Sequence, residues 1–141
     1  MAETGANSAE YEDHPSILDG ELLWRRIPPW HIVEDKNMGR LRPSTGAFED
    51  EPGTGHPMSV GISSLCPNGP ADMLVGFDGF ALVQFTARFA RDLGLLIVSD
   101  PQPGEPWHAL VVGKKTKTVK KAFARLSDPW IIPPPTNIAG K

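Results

Sequence analysis

The chain has 141 residues, a length that suits one domain with a substantial hydrophobic core. Its hydrophobic fraction of 40%, with six Phe and four Trp, excludes a wholly disordered chain, and its 15 Pro and 14 Gly disfavour a bundle of long helices. The formal net charge of -3 argues against a general nucleic-acid coat protein, which typically carries a basic surplus.

The chain has a single cysteine, Cys66, which excludes an intramolecular disulfide and a four-cysteine zinc site and fits a reducing compartment. The first ten residues lack the basic start and apolar stretch of a signal peptide, and no run of about 18 apolar residues occurs. We therefore expect a soluble cytoplasmic protein that does not engage a membrane.

Three regions follow from composition. Residues 1–20 are acidic, contain no Lys or Arg and have few apolar side chains, which predicts a disordered acidic arm. Residues 21–135 then form one domain, and residues 136–141 a flexible tail.

The first half of the domain is rich in turn residues. A strand is predicted over 21–26 and stops at Pro28 and Pro29, because proline cannot donate to a strand ladder; it resumes over 30–33. Residues 34–57 have the composition of a loop, with one short turn over 45–48. A short helix over 70–75 begins with Pro70 and ends at Gly76.

The second half alternates strands with short helices. Residues 80–86 are ambiguous, because their apolar side chains also recur at helical spacing; we favour a strand that runs into a helix over 87–93, closed by Gly94. The remaining predicted elements are strands over 95–98, 107–112 and 130–132 and an amphipathic helix over 116–126. The sum is an α+β fold with a small, mainly antiparallel mixed sheet and two or three short helices in a single domain.

A polar stretch between residues 24 and 60 is the strongest sign of a binding site. Arginine binds carboxylates and phosphates through its planar fork, and Arg26 and Arg42 both lie beside proline-braced turns. The predicted ligand-binding residues are Arg26, Arg42, Ser44, Thr45, Lys114 and Lys115. The alternative is that the arginines form weak surface ion pairs with the acidic residues at 34–35 and 49–51.

Two histidines are the candidate catalytic residues. His31 and His108 each adjoin a predicted strand and follow a tryptophan, and two imidazoles can serve as acid and base on a phosphodiester. The alternative for each is a partly buried histidine with satisfied hydrogen bonds. His31, His56, His108 and Cys66 lack the short spacing typical of zinc ligands, so no metal site is predicted.

The charged ends of the chain favour a second kind of function. Six basic residues and no acid occur between 114 and 125, opposite in sign to the N-terminal arm. Either this is a solvated helix face, or the arm covers a basic surface until a ligand displaces it. Both the arm and the 114–125 helix are candidate contact surfaces for a protein partner.

Several segments resemble a family of short, uncharacterised bacterial proteins over roughly residues 22–133. The resemblance lies in Arg26, His31, residues 42–48, residues 58–60 and residues 108–113. A looser similarity to small ADP-ribosyltransferase-like domains and NAD-degrading toxins implies that Arg26 or His31, together with Ser44 and Thr45, holds a nucleotide. The chain contains neither a P-loop nor a dinucleotide-binding fingerprint, so its cofactor is left unknown.

Two functions are therefore expected. The first is a cationic, hydroxyl-lined pocket for a nucleotide-like or phosphorylated ligand, in a toxin-type enzyme directed at NAD or RNA. The alternative is a non-catalytic interaction protein, such as an antitoxin, an adaptor or a component of a multi-protein system. The residues leave open whether the chain is an enzyme.

Overall fold

A six-stranded antiparallel sheet organises the chain in this computed structural model, which describes residues 11–37, 39–126 and 129–135. The strands are β1 (Leu22–Ile27), β2 (Ile32–Asp35), β3 (Arg40–Pro43), β4 (Met58–Ile62), β5 (Ala81–Thr86), β6 (Leu96–Ser99), β7 (His108–Val112) and β8 (Trp130–Ile132). The main sheet has the order β6-β7-β4-β1-β5-β8, and β2 and β3 form a separate antiparallel pair. The predicted single α+β domain with a mainly antiparallel sheet is confirmed.

Two short α-helices pack on the sheet, α1 (Ala87–Asp92) and α2 (Lys117–Ala124). Each begins at a threonine whose hydroxyl accepts a backbone N–H of the first turn: Thr86 from Phe89 and Thr116 from Val119. Short 3-10 helices cover Pro29–His31, Thr45–Ala47, Ser63–Leu65 and Gly69–Leu74. Within the described residues, no helix is both long and apolar enough to cross a bilayer.

The sheet is covered on both faces, and β1 divides its side chains between them. Leu23 and Ile27 are fully buried in the larger core, to which α1 and α2 also contribute. Trp24 belongs to a smaller apolar cluster on the other face. Because successive side chains of a strand point to opposite faces, Arg25 lies on the larger-core side and Arg26 on the side of Trp24.

The segment predicted as a loop over 34–57 differs from the expectation. It contains β3, whose pairing with β2 is closed by a turn at Gly39 with a φ of 67°. The predicted resumption of β1 over 30–33 is also wrong in part, because Pro29–His31 form a 3-10 turn that directs β2 away from the main sheet. Residues 58–62 form β4, a central strand paired with both β1 and β7.

The prediction of a disordered arm over 1–20 is wrong for its second half. Ile17 is 6% exposed and packs in the larger core. Arg91 of α1 binds the carboxylates of Asp13 and Asp19 at 3.0 and 2.8 Å. Residues 1–10 and the predicted tail over 136–141 lie outside the described residues.

Candidate functional site

A cavity of about 560 Å³ opens beside the end of β1. Three segments line it: the end of β1 with the following proline turn, the stretch from the 45–47 turn to residue 52, and the residues that lead into β4. The polar residues that line it are Arg25, His31, Glu49, Asp50, Glu51, His56 and Ser59. The site therefore combines one arginine and two histidines with three carboxylates, and Arg25 reaches it from the larger-core side of the sheet.

Arg25 is the cation of this cavity, and it is half-buried. Its Nε donates to the carbonyl of Ala47 at 3.1 Å and its Nη1 to the carbonyl of Ser59 at 2.9 Å. Burial lowers the pKa of Arg25 to about 10, neighbouring Arg26 acts in the same direction, and Asp50 opposes them. Even so, the guanidinium keeps its charge at neutral pH, and both hydrogen bonds go to neutral acceptors.

Asp50, the carboxylate that opposes the lowering of the pKa of Arg25, is already paired with a lysine. Lys115 donates to Asp50 Oδ1 at 2.8 Å and to the carbonyls of Val111 and Gly113 at 2.9 and 2.7 Å. These bonds use the three protons of the ammonium group, so Lys115, predicted to bind ligand, anchors a loop instead. Since the Lys115–Asp50 pair is neutral, the charge of Arg25 has no carboxylate bound to it among the described residues.

His31 is the predicted catalytic residue that does line the cavity. Its Nδ1 shares a hydrogen bond with Ser44 Oγ at 3.1 Å, which orients the ring. Gly46 permits this position, because a Cβ on Gly46 would lie 2.9 Å from His31 Cε1. The structure thus brings together two of the predicted residues, His31 and Ser44.

His108, the second predicted catalytic residue, does not lie with His31. Ala109 and Val111 of β7 point into the larger core, so the alternation of the strand places His108 on the opposite face. Its Nδ1 lies 3.1 Å from Asp100 Oδ2 and 3.0 Å from the Asp100 carbonyl oxygen. The predicted acid and base pair of His31 and His108 is therefore not assembled.

The two predicted arginines also lie apart from the cavity lining. The Arg26 guanidinium stacks 4.0 Å over the ring of Phe77 on the smaller-cluster side of the sheet. Arg42 donates to Asp35 Oδ2 at 3.2 Å and to the carbonyl of Pro43 at 2.9 Å within the β2–β3 pair. For Arg42 the surface ion pair given as the alternative is the arrangement found.

The remaining predicted ligand-binding residues do not line the cavity. Thr45 begins the 3-10 turn that carries Gly46, and Lys114 is exposed in the loop before α2. On the cavity rim, Glu49 binds Lys120 of α2 at 2.8 Å, whereas Glu51 is exposed.

Sequence reasoning missed Arg25, because apolar residues alternate with both arginines of β1 and the sequence does not show which one faces the larger core. In the structure the fully buried residues Leu23 and Ile27 flank Arg25 at a spacing of two, and their burial identifies it as the inward-facing arginine. His56 was considered only as a zinc ligand, yet it lines the same cavity as His31. His56 reaches this cavity through the long connection between β3 and β4, and no local sequence pattern predicts the path of that connection.

Cys66 behaves as a small apolar residue. It is 8% exposed in the smaller cluster, and burial raises the pKa of its thiol to about 11, with Asp72 adding to the effect. The thiolate is therefore suppressed at neutral pH. Among the described residues, no three His, Cys, Asp or Glu side chains converge as a metal-ligand set.

The chain matches no protein-family model, no curated protein and no solved structure. The similarity to short bacterial proteins and to ADP-ribosyltransferase-like domains therefore stays a prediction. The function has to be argued from the geometry of the cavity.

Proposed function

We propose that this protein binds a small phosphorylated ligand in the Arg25 cavity. The observation that carries the proposal is a half-buried guanidinium that lines a cavity and that, among the described residues, hydrogen-bonds only to the neutral carbonyls of Ala47 and Ser59. A buried charge is stabilised by an ion of opposite sign, and arginine matches phosphate with two parallel hydrogen bonds. A phosphoryl group supplies both the charge and the acceptor oxygens.

The size and charge of the cavity fit this class of ligand. A volume of about 560 Å³ lies within the range of small-molecule sites. Lys115 and Lys120 pair with Asp50 and Glu49, so two of the three carboxylates are compensated. This leaves Arg25 as the cation that a ligand anion meets.

An enzymatic form of this proposal assigns proton transfer to His31. The Ser44 hydroxyl fixes Nδ1, which leaves Nε2 as the ring nitrogen available to a ligand. If the protein is the expected toxin-type enzyme acting on NAD or RNA, His31→Ala abolishes turnover and retains ligand binding. His108→Ala leaves turnover unchanged, because His108 lies on the opposite face of the sheet.

Thermal melting in the presence of pyrophosphate, ribose 5-phosphate and ADP tests the binding proposal. A ligand at about a hundred times its dissociation constant adds about 2.7 kcal/mol of stability. We expect Arg25→Gln to lose the shift, Arg25→Lys to keep part of it, and Arg42→Ala to retain it in full. Arg25→Lys serves as the folded variant should the glutamine variant fail to fold.

Two results would contradict the proposal. One is the absence of a shift with all three compounds. The other is an equal shift in the wild type and in a folded Arg25 variant, because binding would then occur elsewhere. Loss of the shift in Arg42→Ala would return the site to the hairpin indicated by the sequence.

A specific surface favours the alternative of a protein partner. Lys114, Lys117, Lys121 and Arg125 are exposed in or beside α2, and within the described residues none of them has a carboxylate partner. The described part of the acidic arm binds Arg91 of α1, not this basic surface. An acidic partner protein would fit there, and a Lys117→Glu, Lys121→Glu double variant should prevent its capture in a pull-down from the native host.

A further inference from the structure

Trp30 is the exposed tryptophan of the cavity rim. It lines the cavity, and its side chain is 73% exposed, whereas Trp24 and Trp107 are 7% and 4% exposed. The indole N–H of Trp130 donates to the carbonyl of Leu41, so that ring has an internal role. Because Trp30 and Arg25 line the same cavity, a ligand there meets an exposed indole together with a cation.

The backbone and a neighbouring ring hold Trp30 in place. It lies in the 3-10 turn between Pro29 and His31, where proline fixes the chain. Phe80 contacts it at a centroid distance of 5.8 Å and an interplanar angle of 84°. Because this contact is perpendicular and most of the side chain stays exposed, indole surface is available for a planar group to stack upon.

We propose that the ligand of the cavity is a nucleotide, with its base stacked on Trp30 and a phosphate bound by Arg25. This inference rests on the proposed function and specifies its ligand. Every nucleobase offers a π-face, and stacking on an aromatic side chain raises affinity about ten-fold or more. A ligand that joins a planar base to a phosphate covers the exposed indole and supplies a counter-ion to the Arg25 guanidinium in one molecule.

The charge of the cavity favours a nucleotide over an apolar ligand. An apolar peptide could cover Trp30, but it would leave the guanidinium of Arg25 without a counter-ion and remove more water from it. A simple phosphate would compensate Arg25 and leave the indole exposed. A mononucleotide meets both requirements within about 560 Å³.

Paired titrations separate base recognition from anion recognition. ADP, AMP, ribose 5-phosphate and pyrophosphate are titrated against the full chain, with calorimetry and tryptophan fluorescence as readouts. We expect AMP, which differs from ribose 5-phosphate by its base, to bind about ten-fold or more tightly than ribose 5-phosphate, as the stacking energy requires. Trp30→Ala should remove this difference, Trp30→Phe should keep most of it, and Leu18→Ala, which alters another exposed apolar residue, should not affect it.

The outcomes distinguish the two proposals. Equal affinity for AMP and ribose 5-phosphate, with both lost in Arg25→Gln, would overturn base stacking and leave the anion site intact. A preference for AMP over ribose 5-phosphate that survives in Trp30→Ala would also overturn the role of Trp30. Failure of all four compounds to bind would overturn this inference together with the proposed function.

Discussion

At the scale of single residues, the contact between Gly46 and His31 gives a direct test of the cavity. Gly46→Ala would place a Cβ 2.9 Å from His31 Cε1, closer than carbon atoms pack, so the ring must move away from Ser44 Oγ. We expect nucleotide affinity to fall several-fold, because the ring borders the site. Isothermal titration with ADP measures the effect.

Gly20 provides the matched control for this substitution. An added Cβ there has no atom within 4 Å, and neither glycine has a positive φ. Gly20→Ala should therefore bind ADP as the wild type does. Equal affinity in both variants would show that the position of His31 does not influence the ligand.

Lys115 gives a second test, of stability instead of binding. Its side chain is 4% exposed, and its three hydrogen bonds tie Asp50 to the end of β7. Lys115→Met removes the cation beside Asp50, whose Oδ1 keeps the N–H of Met58, and it removes a donor from two carbonyls, which we expect to lower the free energy of unfolding by about 3 kcal/mol. Urea denaturation measures this, and exposed Lys114→Met should change it by less than about 0.5 kcal/mol.

Sequence reasoning pointed to the polar region and named His31 and Ser44 separately, without their hydrogen bond, and it missed the arginine that faces the cavity. Arg25 and Arg26 are adjacent, so composition alone cannot separate them, and the register of β1 decides which one points inward. Lys115 was predicted to bind a phosphorylated ligand. The sequence could not show that it pairs with Asp50 instead, because the two residues are 65 positions apart. Such long-range partners leave no local signal.

At the scale of elements, α2 supports the turn that borders the cavity. Phe123 of α2 stacks on Phe48 at a centroid distance of 5.1 Å, directly after the 45–47 turn. The helix begins where Thr116 Oγ1 accepts the N–H of Val119 at 3.1 Å. Thr116→Ala removes this cap and should lower the free energy of unfolding by about 1 kcal/mol, as measured in urea.

Thr118 is the control for the cap, since it lies on the exposed side of the same helix. Thr118→Ala should leave stability unchanged or raise it slightly, because alanine has the higher helix propensity. An equal loss in both variants would show that the hydroxyl of Thr116 does not act as a cap.

The elements with a strong local pattern were the predictable ones. The amphipathic helix near 116–126 and the apolar strands near 95–98 and 107–112 correspond to α2, β6 and β7. The β2–β3 pair and β4 were not predicted, because their segment is rich in Pro and Gly and only pairing partners make it extended. Gly61 of β4 is an example, since its missing side chain admits Met73 of the Gly69–Leu74 3-10 helix and Trp107, which precedes β7.

At the scale of the whole molecule, the second half of the acidic arm completes the sheet. β6 is an edge strand, and its Ile97 accepts the N–H of His14 and donates to Asp13 Oδ1, both at 2.8 Å. Composition indicated disorder because the segment has few apolar residues. The buried side chain of Ile17 and the ion pairs of Arg91 with Asp13 and Asp19 hold this segment on the domain.

Deletion of residues 1–19 should therefore affect both stability and self-association. Loss of Ile17 from the core lowers the free energy of unfolding by about 2 kcal/mol, and the ion pairs of Arg91 add little because Asp19 is largely exposed. The uncovered edge of β6 offers unpaired N–H and C=O groups to a second chain, which favours oligomers. Urea denaturation and light scattering measure the two effects. Deletion of residues 1–10, which retains the described contacts of residues 13–19, is the control; if it reproduced both effects, the cover over β6 would not be their cause.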